Sequence, residues 1–92
     1  MANLGFFKVN TNGEYKTIEE LTGLTFTVGT KYSMQVSNGG GYLTICSSGT
    51  LPTSGGFVMK DMEKFTYTPE ENVNLYLKTA GFGTVNYLNI AE

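Results

Sequence analysis

Few residues of this chain could do chemistry, and each meets an obstacle in the sequence. The single thiol, Cys46, closes the run Tyr42-Leu43-Thr44-Ile45-Cys46. A cysteine nucleophile needs a base to make the thiolate, and the chain contains no His. No pattern in the sequence sets a lysine beside Cys46 to depress its pKa, so it reads as a small, inert apolar residue. Glu19-Glu20 and Glu70-Glu71 are adjacent pairs, and neighbours in a strand or turn point in different directions. Glycosidase chemistry wants two carboxyls facing each other across roughly 5 to 9.5 Å, an arrangement that sequence leaves open between distant residues. The plain reading is solvated turn charges. Asp61 is the only aspartate, too few for the oxygen cluster of a calcium loop. One thiol and no imidazole make a zinc site untenable. The sequence therefore assigns no catalytic residue, no cofactor-binding residue and no metal ligand.

Contact residues are better represented. Tyr42 and Tyr76 fall on the polar-alternate faces of their segments, where a buried layer does not require an aromatic. Tyrosines among Asn and Thr can anchor a subunit interface or stack on a sugar, and with no Trp in the chain the interface ranks first. The competing reading is cross-strand packing in a second apolar layer. Asn38-Gly39-Gly40-Gly41 is glycine-rich, but Tyr42-Leu43-Thr44 resumes a strand where a phosphate-binding loop would open a helix. It reads as a hairpin tip, and Asn38 and Gly40 join Tyr42 and Tyr76 as candidate contacts with a partner or ligand.

The elements that must position these residues are short strands. Turn signals recur at Asn12-Gly13, Thr22-Gly23, Gly29-Thr30, 38–41, 52–56, 69–72 and 81–83. Between them, five segments alternate: Leu24, Phe26 and Val28; Tyr32, Met34 and Val36; Leu43 and Ile45; Phe65 and Tyr67; Val73, Leu75 and Leu77. Thr, Ser, Gln and Asn dominate the opposite faces. This predicts an all-β fold, a single antiparallel sandwich or barrel of about seven to eight short strands. Phe26, Met34, Val36, Leu43, Ile45, Leu75 and Leu77 are the expected core. Residues 1–92 read as one domain.

The first 23 residues are less regular. Phe6–Val9 and Glu14–Thr17 flank Asn10-Thr11-Asn12-Gly13 as the arms of a hairpin would. Thr17 and Glu20 fit a capping box, which predicts one short helical turn near residues 17–22, with an irregular link as the alternative. The alternation of the last strand, Val85 to Ile90, breaks between Tyr87 and Leu88, which suggests a bulge or a strand covered on both faces.

Composition narrows the function. The chain has 92 residues, 40% hydrophobic and 13% aromatic, enough for a compact core. Charged residues are 15%, against roughly 25% in average globular proteins. Six scattered lysines, no Arg and a net charge of −2 argue against nucleic acid. No apolar window reaches the roughly 20 residues of a membrane span, and no signal peptide opens the chain, so cytoplasmic synthesis and no membrane partner are expected. A domain this small, without disulfide or metal, gains from oligomerisation.

Residues 24–36 (LTFTVGTKYSMQV), 52–58 (PTSGGFV), 65–69 (FTYTP) and 74–78 (NLYLK) resemble small all-β virion proteins of tailed bacteriophages. The resemblance spans roughly residues 24 to 90, with no site motif in it, so no binding residue carries over. It implies a capsid decoration or head-fibre protein, a symmetric homo-oligomer bound to a capsid or other virion protein and located in the virion. Residues 1–23 lie outside it and would be a docking arm or an N-terminal hairpin. The alternative is a ligand-binding module, such as a phage receptor-binding or carbohydrate-binding domain, with a glycan as ligand.

Overall fold

The computed structural model describes residues 3–38, 42–81 and 83–92. Its elements are β1 (Asn3–Val9), β2 (Lys16–Thr17), α1 (Ile18–Thr22), β3 (Tyr32–Asn38), β4 (Leu43–Ser48), β5 (Phe57–Met59), β6 (Lys64–Tyr67), β7 (Asn74–Lys78) and β8 (Asn86–Ala91). The strands form two four-stranded antiparallel sheets. Sheet 1 has the order β1-β8-β3-β6 and sheet 2 the order β2-β7-β4-β5. The expected all-β sandwich is what forms, with the helical turn included.

Alternation sets which side chains meet between the sheets. Val36, Met34, Leu88 and Ile90 from sheet 1 face Leu43, Leu75 and Leu77 from sheet 2, all buried. Of the expected core residues only Ile45 is partly exposed, and it still packs against the cluster. The helical turn forms as its caps dictate. Thr17 Oγ1 accepts the Glu20 N–H at 3.2 Å, and Gly23 at φ 75° closes the end by donating its N–H to the Glu19 carbonyl at 2.8 Å. Ile18, which is fully buried, holds the turn against the core.

Three expectations about local structure fail. Residues 3–23 do not pair with each other as a hairpin. Asn12 and Gly13 do make a turn with positive φ, but β1 then pairs with β8 in sheet 1 and β2 with β7 in sheet 2. The turn signal is local, whereas strand partners are chosen by burial on opposite sides of the core. Leu24 to Val28 is not a strand. Its N–H groups find local acceptors: Phe26 N–H donates to Glu19 Oε2 at 3.1 Å and Thr27 N–H to Tyr32 Oη at 2.9 Å. Phe26 still turns inward, edge-on to Tyr32 and Tyr67 with centroids 4.8 and 6.0 Å away, while Val28 is exposed. Finally, β8 alternates without interruption, Tyr87 outward and Leu88 inward; the register shift lies in β1, between Asn3 and Gly5.

The chain changes sheets at every connection except β4–β5, and two of these crossovers, β1–β2 and β7–β8, are tied together. Thr79 N–H donates to Thr11 Oγ1 at 2.8 Å, Thr11 N–H donates to Thr79 Oγ1 at 3.2 Å, and the two hydroxyls lie 3.1 Å apart. Both threonines are fully buried. The four buried polar groups satisfy one another where no ladder reaches them.

Candidate functional site

Of the four expected contact residues the structure describes two side chains, Tyr42 and Tyr76, and they stand in different surroundings. Tyr42 stands in solvent, 59% exposed, just before β4. The Asn38 side chain and Gly40 lie outside the described residues. Tyr76 is buried at 7% exposure, which overturns its assignment as a surface contact. It does point to the outer face of sheet 2, between Thr17 on β2 and Cys46 on β4. That face is covered by the segment linking β4 to β5. The Tyr15 hydroxyl donates to the Gly55 carbonyl, and Leu51, Pro52 and Thr53 close with Gly13, Glu14, Tyr15 and Lys78 around a depression of about 380 Å³. Lys78 Nζ sits 4.9 Å above the Tyr15 ring. Gly56 is required in this cover: at φ 103°, a Cβ there would come within 2.5 Å of the Ile45 carbonyl oxygen and 3.2 Å of Cys46 Cβ. Half-buried Cys46 thus has Gly56 directly beside it, one residue before β5.

The Glu19-Glu20 pair separates in space. Glu20 reaches Lys16 at 3.8 Å, while Glu19 caps the Phe26 N–H. Glu19, Glu70 and Glu71 meet again with Tyr67 around a depression of about 350 Å³ beside Pro69 and Asn74. Burial, reinforced by the Glu19 carboxylate, raises the Tyr67 pKa above the usual tyrosine value of 10.0, and a backbone hydrogen bond at Leu75 opposes the shift. Tyr67 is therefore held neutral. Among the described residues no three of Cys, Asp and Glu stand close enough to share a metal ion.

Two surfaces were not singled out from the sequence. The first is the β5 edge of sheet 2, where Phe57 is 76% exposed and Val58 58%. The β4–β5 register pairs Thr44 with Val58, so Tyr42 extends the face that carries Val58. The second is the outer face of sheet 1, where one transverse row runs Phe6, Asn89, Gln35, Lys64 across all four strands. The flanking rows add Lys8, Tyr87 and Ser37 on one side and Ala91, Ser33 and Thr66 on the other. Phe6, 63% exposed, stacks on Tyr87 with centroids 5.4 Å apart and planes 4° from parallel. The sequence carried a trace of this: one of the doublet Phe6-Phe7 must face out, and so must Tyr87 once Leu88 faces in.

Fold and surfaces together define a small antiparallel β-sandwich with one covered outer face and one open one. Compared with protein-family models, with curated proteins and with solved structures, the chain finds no significant match in any of the three.

Proposed function

We propose that this chain is a non-enzymatic structural protein whose work is contact with other protein chains, and that it serves in a tailed-phage virion as a capsid decoration or head-fibre component assembled as a homo-oligomer. The β5 edge is the observation that carries the contact reading. An edge strand offers unpaired backbone groups to a further strand, and natural edges are usually guarded by charge, proline or a covering loop. Here adjoining Phe57 and Val58 stand in solvent instead, which suits a surface covered in an assembly. The virion assignment rests on the resemblance of residues 24–90. Light scattering on the purified protein, with sedimentation beside phage capsids, tests both. The expected result is a symmetric oligomer that Phe57→Asp dissociates and that pellets with capsids. A monomer at high concentration that never pellets with capsids refutes the proposal.

A second reading, a ligand-binding module of the receptor- or carbohydrate-binding kind, is favoured by the open outer face of sheet 1.

A further inference from the structure

We infer that the outer face of sheet 1 is a binding site for an acidic saccharide laid across the strands along the row Phe6, Asn89, Gln35, Lys64. The inference deepens the second reading above and does not depend on the β5 edge.

The row has the chemistry a sugar requires. A pyranose has an apolar C–H face and a rim of hydroxyls that both donate and accept. The C–H hydrogens carry partial positive charge and pack on the negative face of an aromatic ring. Phe6 offers such a face, steadied by its near-parallel stack on Tyr87. The hydroxyl rim needs groups that donate and accept at once, which is what side-chain amides do. Asn89 and Gln35 sit side by side in the register next to Phe6. Gln35 is steadied by one bond, Nε2–H to the Met62 carbonyl at 3.1 Å, and keeps its oxygen and second N–H for a ligand. Ser33, Gln35, Lys64, Thr66, Asn89 and Ala91 line an open depression of about 450 Å³, large enough for a sugar ring or two.

Charge selects the class of sugar. The protein as a whole is at −2, yet the three rows carry Lys8 and Lys64 and no carboxylate. The ion pair found among the described residues engages Lys16 and Glu20, and Lys8 and Lys64 stand exposed on this face. A sugar carboxylate at one or both ends of the row complements their charge. A peptide strand, by contrast, would pair with a sheet edge and would gain little from a paired face whose exposed apolar surface is one stacked ring.

Affinity electrophoresis in native gels containing polygalacturonate, alginate or hyaluronan, with neutral dextran as reference, reads the site directly. Retardation is expected in at least one acidic gel and not in dextran. Phe6→Ala and Asn89→Ala should each weaken it about tenfold, the scale of one stacking contact or one charge-independent pair of hydrogen bonds. Lys64→Gln should weaken it by a larger factor at low salt than at high salt, and Thr50→Ala, at an exposed position in the β4–β5 link, should leave it unchanged. Far-UV circular dichroism confirms that each variant folds, which exposed Phe6 and Asn89 make straightforward to satisfy. No retardation in any acidic gel overturns the inference. So does retardation that Lys64→Gln abolishes while Phe6→Ala and Asn89→Ala leave it intact, because that is ion exchange without a saccharide site. Either failure leaves the oligomer test untouched.

Discussion

Replacing Thr11 or Thr79 by Val tests the device that joins the β1–β2 and β7–β8 crossovers. Valine keeps the shape and the β-branch and removes only the hydroxyl. Thr11→Val deprives the Thr79 N–H of its acceptor at 2.8 Å, and Thr79→Val deprives the Thr11 N–H of its acceptor at 3.2 Å. Both positions are fully buried, so water does not replace the lost partner. An orphaned buried N–H costs about 1–3 kcal/mol, and each variant should lose stability on that scale. In a domain of this size each kcal/mol lowers Tm by about 4–8 °C. The double variant orphans both N–H groups but loses the shared hydroxyl contact only once. Its cost should therefore fall short of the sum of the singles by about 0.5–1.5 kcal/mol. Thr79→Ser keeps the oxygen and should recover most of the loss. Urea unfolding followed by tyrosine fluorescence and far-UV circular dichroism measures all four. Single Val variants within about 0.5 kcal/mol of the parent, or a Ser variant as damaging as Val, would refute the reasoning.

Two further outcomes follow from packing and charge. Phe26→Ala, which removes the ring that two tyrosines pack edge-on, should cost about 2–5 kcal/mol in the same urea assay, and a loss under about 0.5 kcal/mol would show that the ring is not core. The raised pKa of Tyr67 means that above pH 10.0 the unfolded chain sheds that proton while the folded one keeps it; the stability present below pH 10.0 is then lost as pH climbs through the folded value. Tyr67→Phe should flatten this alkaline decline relative to the parent, and identical decline in the two proteins between pH 9 and 11 (about one unit either side of the usual tyrosine value) would contradict it.

Much of the fold was legible because period-two alternation reports burial directly. Tyr32–Val36, Leu43–Ile45, Phe65–Tyr67 and Leu75–Leu77 alternate and are strands. The helical turn was legible for a local reason too, since Thr17 and Gly23 satisfy groups within a few residues of themselves. What misled was always a question of partners. Leu24, Thr25, Phe26 and Thr27 alternate in exposure as a strand would, yet Glu19 Oε2 and Tyr32 Oη take two of the N–H groups a ladder would use. Asn12-Gly13 turns the chain without pairing the strands on either side of it. Tyr76 points away from the core as the pattern says, and is buried all the same, on the sheet where Tyr15 reaches Gly55 from forty residues away. No local pattern encodes that contact.

The same first 23 residues that the sequence set aside decide which surface stays open. By leaving sheet 1 after Val9 and joining sheet 2 at Lys16, the chain places Phe6 on one outer face and Tyr15 on the other. Tyr15 becomes a fastening: its hydroxyl holds Gly55, its ring meets Lys78, and Tyr76 on the same outer face of sheet 2 is buried. Among the described residues no segment returns over Phe6, which is 63% exposed, and its stack with Tyr87 lies among amides, hydroxyls and lysines. An aromatic of the same origin is thus structural on one sheet and available on the other. The difference lies in the connections that follow each sheet's strands. The β4–β5 link is long enough to return over sheet 2, whereas the β3–β6 edge of sheet 1 folds back through the turn at Lys60–Glu63, whose backbone bonds end at Val36. The proposed saccharide site on sheet 1 and the proposed assembly edge at β5 lie on different sheets, so the two proposals do not compete for one surface.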